Sequence, residues 1–168
     1  MPFAASVSFS PCPGHTPIVC PVSMAHHSEM MIWTLLRFPG LCLASPNSHR
    51  GLTRWAAIRH TAEVRLIRST IRQGVESACL LPRGVPSQVE LVRVAPRRYD
   101  SDNLVSAFKP ARDGLCEALG FDDRLLGIAG LPEGPRGGQA PVRCLFGQRS
   151  AGARVYAVEL RLEWADPA

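Results

Sequence analysis

The chain predicts an α+β fold, a small mixed sheet with two main helices packed against it. Strand-like and helix-like patterning take turns along residues 31–164, in the order strand, helix, strand, helix and a closing pair of strands. The 168 residues are 46% hydrophobic, which is enough for one core and one domain. No apolar run is long enough to span a bilayer, so no membrane partner is expected.

Residues 1–30 are rich in Pro, Ser, His and small side chains and show no sustained period. They read as a poorly ordered leader, or as translated sequence upstream of a start at Met24, Met30 or Met31, and they lack the basic stretch of a signal peptide. The domain is expected to begin with a strand over 31–38, closed by Pro39-Gly40. A short apolar piece at 41–44 then meets the turn signal Ser45-Pro46-Asn47-Ser48.

From Trp55 to about Val75 the period becomes helical. Trp55, Ile58, Ala62 and Leu66, continued by Ile67, Ile71 and Val75, form one expected apolar stripe, while Arg65, Arg68 and Arg72 mark another face. A loop at 81–84 leads to a strand near 87–95. The second helix is expected from about Asn103, burying Leu104, Ala107, Phe108, Ala111, Leu115 and Leu119. Pro110 lacks an N–H and clashes with the preceding turn, so a kink or a new helical start is expected there. Gly120 is the candidate C-cap. A Gly- and Pro-rich loop over 125–141 separates this helix from strands at 142–148 and 154–164, which read as a hairpin candidate.

The charges carry the first functional signal. Of 19 basic residues only Lys109 is a lysine, and the net charge is +5. Residues 50–112 hold 12 basic side chains against 5 acidic ones. Guanidinium groups grip phosphate through a planar fork, so a nucleic-acid partner fits this bias, as does the codon usage of a GC-rich genome. Six scattered cysteines suit reduced thiols in a cytoplasmic protein. Cys12, His15, Cys20, His26 and His27 lack the regular spacing and second cysteine pair of a zinc site.

Within the basic region sits Asp100-Ser101-Asp102-Asn103, answered by Asp122-Asp123. Carboxylates are the natural ligands of Mg²⁺, and two aspartates spaced by two in extended chain would face one side. A third from Asp123 or Asp122 would complete a set for phosphodiester chemistry, with Lys109, or Arg112 behind it, offsetting developing charge. The other reading is local: Asp102 or Asn103 caps the helix and Asp100 makes a turn.

Tyr-Asp-Ser-Asp-Asn-Leu at 99–104, Lys-x-x-x-Asp-Gly-Leu at 109–115 and the closing Asp122-Asp123 together resemble the core of the RusA-like Holliday junction resolvases, common in phages and prophages. Ser45-Pro46-Asn47, followed by Arg50-Gly51-Leu52-Thr53-Arg54-Trp55, resembles the family's N-terminal segment and basic loop. The likeness covers about residues 31–164. It implies a homodimeric, Mg²⁺-dependent endonuclease, with Mn²⁺ as a possible substitute, that resolves branched double-stranded DNA by paired nicks in recombination and repair.

Carried over by position, the resemblance implies that Asp100, Asp102 and Asp123 are catalytic and metal-binding, with Asp122 the second choice in its pair, and that Lys109 is the catalytic lysine. The family's lysine stands four residues after the second aspartate, where this chain has Ser106. Lys109 is seven after Asp102 but keeps the spacing of four to Asp113, and three extra residues are close to one helical turn. Asn47, Arg50, Arg54, Arg59, Arg97, Arg98 and Arg112 are the candidate DNA contacts. Two other readings compete: a non-catalytic DNA-binding protein that keeps the resolvase fold, and a nucleotide- or sugar-phosphate-handling enzyme, for which the phosphate-cradling glycine loop is missing.

Overall fold

Alternation in the last strand sets the architecture. Val158, Leu160, Leu162 and Trp164 are buried on one side, so this strand turns one face to the core, and it is paired along both edges. The computed structural model describes residues 18–20, 32–43, 54–80, 83–128 and 142–164. In chain order they form β1 (Ile18–Cys20), β2 (Ile32–Pro39), α1 (Arg54–Ser77), β3 (Gln88–Ala95), α2 (Ser101–Ala107), α3 (Lys109–Leu119), a 3-10 turn (Asp123–Leu125), β4 (Leu126–Ile128), β5 (Val142–Ser150) and β6 (Ala157–Trp164).

The sheet runs β2-β6-β3-β5-β4, with the three-residue β1 added outside β2. Strands β1, β2, β6 and β3 pair antiparallel in turn, whereas β3, β5 and β4 pair in parallel, so the sheet is mixed as expected. The closing strands are not a hairpin, however. β3 lies between them, in register Leu91↔Leu160 on one side and Leu91↔Phe146 on the other. Parallel pairing of β3 with β5 needs a crossover, which α2 and α3 supply, and β6 then fills the gap between β2 and β3.

Leu36, Phe38, Val89, Leu91, Val158, Leu160 and Leu162 present one face to the helices. The opposite face carries charged neighbours instead: Glu159 bonds Arg149 and lies 3.5 Å from Arg37, and Arg161 lies 3.9 Å from Glu90. Alternation with period two thus divides a core face from a polar one.

α1 corrects the expected single stripe. Ile67, Ile71 and Val75 are buried, but Ile58 and Leu66 are 50% and 61% exposed. Leu66 and Ile67 are adjacent and project about 100° apart, so the two rows cannot share a face. The row from Ile67 meets the core; the row from Ile58 faces solvent. Nothing is described for the Trp55 side chain.

The second expected helix is two helices. Phe108 separates α2 from α3, its φ of −81° and ψ of −6° lying between helical turns, and Pro110 occupies the first turn of α3, where its missing N–H costs nothing. Phe108 is fully buried, which contributes about 1.5–3 kcal/mol. Gly120 ends α3 with φ of 70° and ψ of 30°, the left-handed C-cap anticipated from the sequence. Gly114 meets a tighter demand: a Cβ there would lie 2.3 Å from the Arg68 carbonyl oxygen of α1. Its lack of a side chain lets the two helices cross closely.

Of the sequence expected to be a leader, Ile18–Cys20 pairs with β2; residues 1–17 and 21–30 lie outside the described residues. Leu126–Ile128, placed in the Gly- and Pro-rich loop, is a strand pairing with Val142–Cys144, and residues 129–141 fall outside the described set. Among the described residues no helix is long and apolar enough to cross a membrane.

Candidate functional site

The first acidic pair is placed by the start of α2. Asp100 has extended backbone, φ −67° and ψ 164°, and its Oδ1 accepts a 3.0 Å hydrogen bond from the Asn103 N–H. Asp100 is therefore the cap itself, and the helix begins two residues earlier than its apolar period suggests. Asp102 stands inside the first turn, so the period-two argument for aiming both carboxylates one way does not apply. Ser101 donates to Asp102 Oδ1 at 3.4 Å, and Asp100 and Asp102 are both exposed.

Tyr99 fixes this corner. Its N–H donates to Gln148 Oε1 at 2.8 Å, its carbonyl accepts from Gln148 Nε2 at 2.7 Å, and its hydroxyl donates to the Leu43 carbonyl at 2.7 Å. Beneath it the buried Arg93 guanidinium lies 3.6 Å from the ring centroid and donates to the Arg97 carbonyl. The Asp100 end is thus tied to the far end of β5. Arg97 and Arg98 are exposed beside it.

The second acidic pair follows the C-cap of α3. Asp122 Oδ1 accepts from the Arg124 N–H at 2.9 Å and caps the 3-10 turn. That backbone bond, helped by a hydrogen bond from Asp123 and the Arg124 charge, holds the Asp122 carboxyl below its ordinary range. Asp122 and Asp123 line an open cleft of about 520 Å³ together with Lys109, Asp113, Arg68 and Glu117. Asp100 and Asp102 are not part of its wall.

Lys109 bridges two recesses, since it also borders a neighbouring hollow of about 290 Å³ with His60, Glu63 and Asp113. Its ammonium donates to both Asp113 oxygens, at 3.2 and 3.3 Å, and the lysine side chain is 62% exposed against 22% for the aspartate. The pair is readable as an i, i+4 spacing. Across the cleft the Arg68 guanidinium donates to both Glu117 oxygens, Nε at 2.9 Å, which lowers the Glu117 pKa and raises that of Arg68. No local spacing announces this contact, because its partners lie on different helices.

Beneath the cleft Cys116 is pushed up to about 12, first by burial and then by the Asp123 and Asp113 charges. Cys144 is pushed up to about 11 by burial. Both stay protonated thiols at neutral pH. Arg112, a candidate phosphate contact, is half-buried with its guanidinium 5.9 Å from the Phe146 ring centroid, and its Nε is buried without a hydrogen-bond partner. Arg54 and Arg59 are exposed on α1, while Asn47 and Arg50 lie outside the described residues.

The structure therefore lines one cleft with Lys109, at the start of α3, and Asp122 and Asp123, past its end, and leaves Asp100 and Asp102 outside that wall at the start of α2. Among the described residues no three His, Cys, Asp or Glu side chains are gathered to hold a metal ion. The carboxylates suit a hard cation in kind, but one chain does not assemble a third donor around either pair. No protein-family model and no curated protein matches this sequence.

Proposed function

We propose that the chain is a divalent-ion-dependent endodeoxyribonuclease selective for four-way DNA junctions. The observation carrying this reading is a solvent-open cleft along α3 lined by Lys109 at the start of that helix and by Asp122 and Asp123 past its end, with Asp100 and Asp102 at the start of α2. The likeness to RusA-like resolvases covers the same residues. Bound Mg²⁺ or Mn²⁺ would supply a polarised phosphate and a water of lowered pKa. The aspartates contribute oxygen donors, Lys109 offsets negative charge building on the phosphate, and Arg54, Arg59, Arg97 and Arg98 hold the backbone of the DNA arms.

The test is cleavage of a labelled mobile junction by purified protein in Mg²⁺. Wild type should nick it, D102N and D123N should not, and K109A should fall about a hundredfold or more, as for loss of one charge-stabilising donor. Nicking retained by either aspartate variant refutes the assignment.

One observation favours a second reading, a DNA-binding protein without nuclease activity: the Lys109 ammonium is engaged by Asp113 rather than by the Asp122-Asp123 pair. Junction binding without Mg²⁺-dependent scission, unchanged in K109A, would support that reading instead.

A further inference from the structure

We propose that Gln148, with its cross-strand neighbour Arg93, is a positioning residue for Asp100 and Asp102, its amide fixing the chain that delivers both carboxylates to the reaction. This inference rests on the nuclease reading above. It adds to that site a residue of β5 that no acidic motif marks.

The core face of the sheet is interrupted at one place. β3 and β5 pair in parallel as Val89↔Cys144, Leu91↔Phe146 and Arg93↔Gln148, and with a period of two all six side chains project to the helix side. The first two pairs are apolar, and Val89, Leu91 and Cys144 are fully buried. The third is polar, although Arg93 is 5% exposed and Gln148 is half-buried. A guanidinium and an amide in that position cost free energy unless their polar groups are engaged.

One short segment engages both. Beyond Ala95, β3 leaves the ladder with β5, where Ala151 N–H donates to the Ala95 carbonyl at 3.1 Å. Arg93 donates to the Arg97 carbonyl and lies 3.6 Å from the Tyr99 ring centroid. Gln148 takes both backbone groups of Tyr99, accepting from its N–H at 2.8 Å and donating to its carbonyl at 2.7 Å. Opposite residues of an antiparallel ladder exchange the same two bonds. The amide thus stands in for a strand partner and extends the hold of β5 to chain that has left the sheet.

That hold passes directly to the aspartates. Asp100 follows Tyr99; its carbonyl accepts from the Leu104 N–H at 3.0 Å and its Oδ1 from the Asn103 N–H at 3.0 Å. Asp100 is therefore pinned to β5 on one side and to the first turn of α2, which carries Asp102, on the other. Both aspartates are exposed, so no packing around their own side chains fixes them. Without the Gln148 amide, α2 would keep its cap and lose this anchor on the sheet. Groups that orient metal ligands without touching the metal change affinity or activity by about 10–100-fold when replaced.

The experiment compares wild type with Gln148→Met, which keeps the side chain's length and loses both hydrogen bonds, in nicking of a labelled four-way junction across a Mg²⁺ titration. The Mg²⁺ concentration at half-maximal rate should rise about tenfold or more. Mn²⁺ binding to the protein without DNA, read by electron paramagnetic resonance, should weaken by the same factor, while junction binding in chelator should be unchanged. A loss of fold alone would lower the rate at every Mg²⁺ concentration without moving the midpoint. Tyr99→Phe keeps both backbone bonds and loses only the hydroxyl's 2.7 Å bond to the Leu43 carbonyl, so its midpoint should stay at the wild-type value. Gln148→Asn, one methylene too short to make both bonds, should shift the midpoint as Met does and serves if the Met variant does not fold. An unmoved midpoint in the Met and Asn variants, or failure of both to fold, overturns the positioning role and leaves the nuclease reading intact. No nicking by wild type at any Mg²⁺ concentration refutes the nuclease reading, and the positioning role falls with it.

Discussion

Gly114→Ala tests the close crossing that holds the candidate cleft in place. The added Cβ would sit 2.3 Å from the Arg68 carbonyl oxygen, 3.1 Å from its carbon and 3.2 Å from the Arg68 Cα. Ordinary contact begins near 3.4 Å, so α1 and α3 must part by about 1 Å, and the obstacle is backbone that cannot rotate aside. Overpacking of this kind costs about 1–3 kcal/mol, and the tight oxygen contact argues for the upper half of that range. Alanine's better helix propensity returns about 0.5–1 kcal/mol. The net loss is about 1–2.5 kcal/mol, a fall in Tm of about 2–10 °C for a domain of this size. Thermal and urea unfolding followed by circular dichroism would measure it. Propensity alone predicts the opposite sign, so a variant as stable as wild type, or more stable, would refute the crossing.

The thiols give a second expectation. Cys116 and Cys144, raised to about 12 and about 11, should resist iodoacetamide at pH 8 in the folded protein and react in urea, while exposed Cys79 reacts in both. Mass spectrometry of the labelled sites would contradict the burial if Cys116 were modified at the rate of Cys79. For Asp122, a carboxyl held low by the Arg124 N–H, NMR titration should find a midpoint below the ordinary value of about 3.9. Its folded pKa lies below its unfolded one, so its contribution to stability is present above about pH 4 and is lost as pH falls through the folded value. A midpoint at or above about 3.9 would show that the cap is not formed.

Local signals were readable and partnerships between distant residues were not. The strand over 31–38, the strand near 87–95 and the long helix from Trp55 stand within a few residues of β2, β3 and α1, because period and turn residues are local properties. Pro110 announced a break, and the new helix starts one residue before it. The closing strands looked like a hairpin because their separation is short, yet β3 lies between them, a choice made by the parallel crossover rather than by the connecting loop. Ile58 and Leu66 look as apolar as Ile67, and only the position of α3 decides which row is covered.

The site followed the same division. Lys109 with Asp113 is legible as a helical spacing of four, and Asp122-Asp123 as the sequence after a glycine cap. The Asp100 cap was open to mistake because Asp, Ser and Asn all serve as N-caps and four of them stand in a row. Arg68 with Glu117 depends on a helix crossing that Gly114 permits, and a glycine inside a helical pattern was its one sequence signal.

The central claim is most directly tested by strand scission on a mobile four-way junction and on a linear duplex of the same sequence, each with Mg²⁺ and with a chelator. The account predicts nicks in the junction with Mg²⁺, none with the chelator, and little cutting of the duplex. Equal cutting of both substrates, or junction cleavage that persists in chelator, would contradict it.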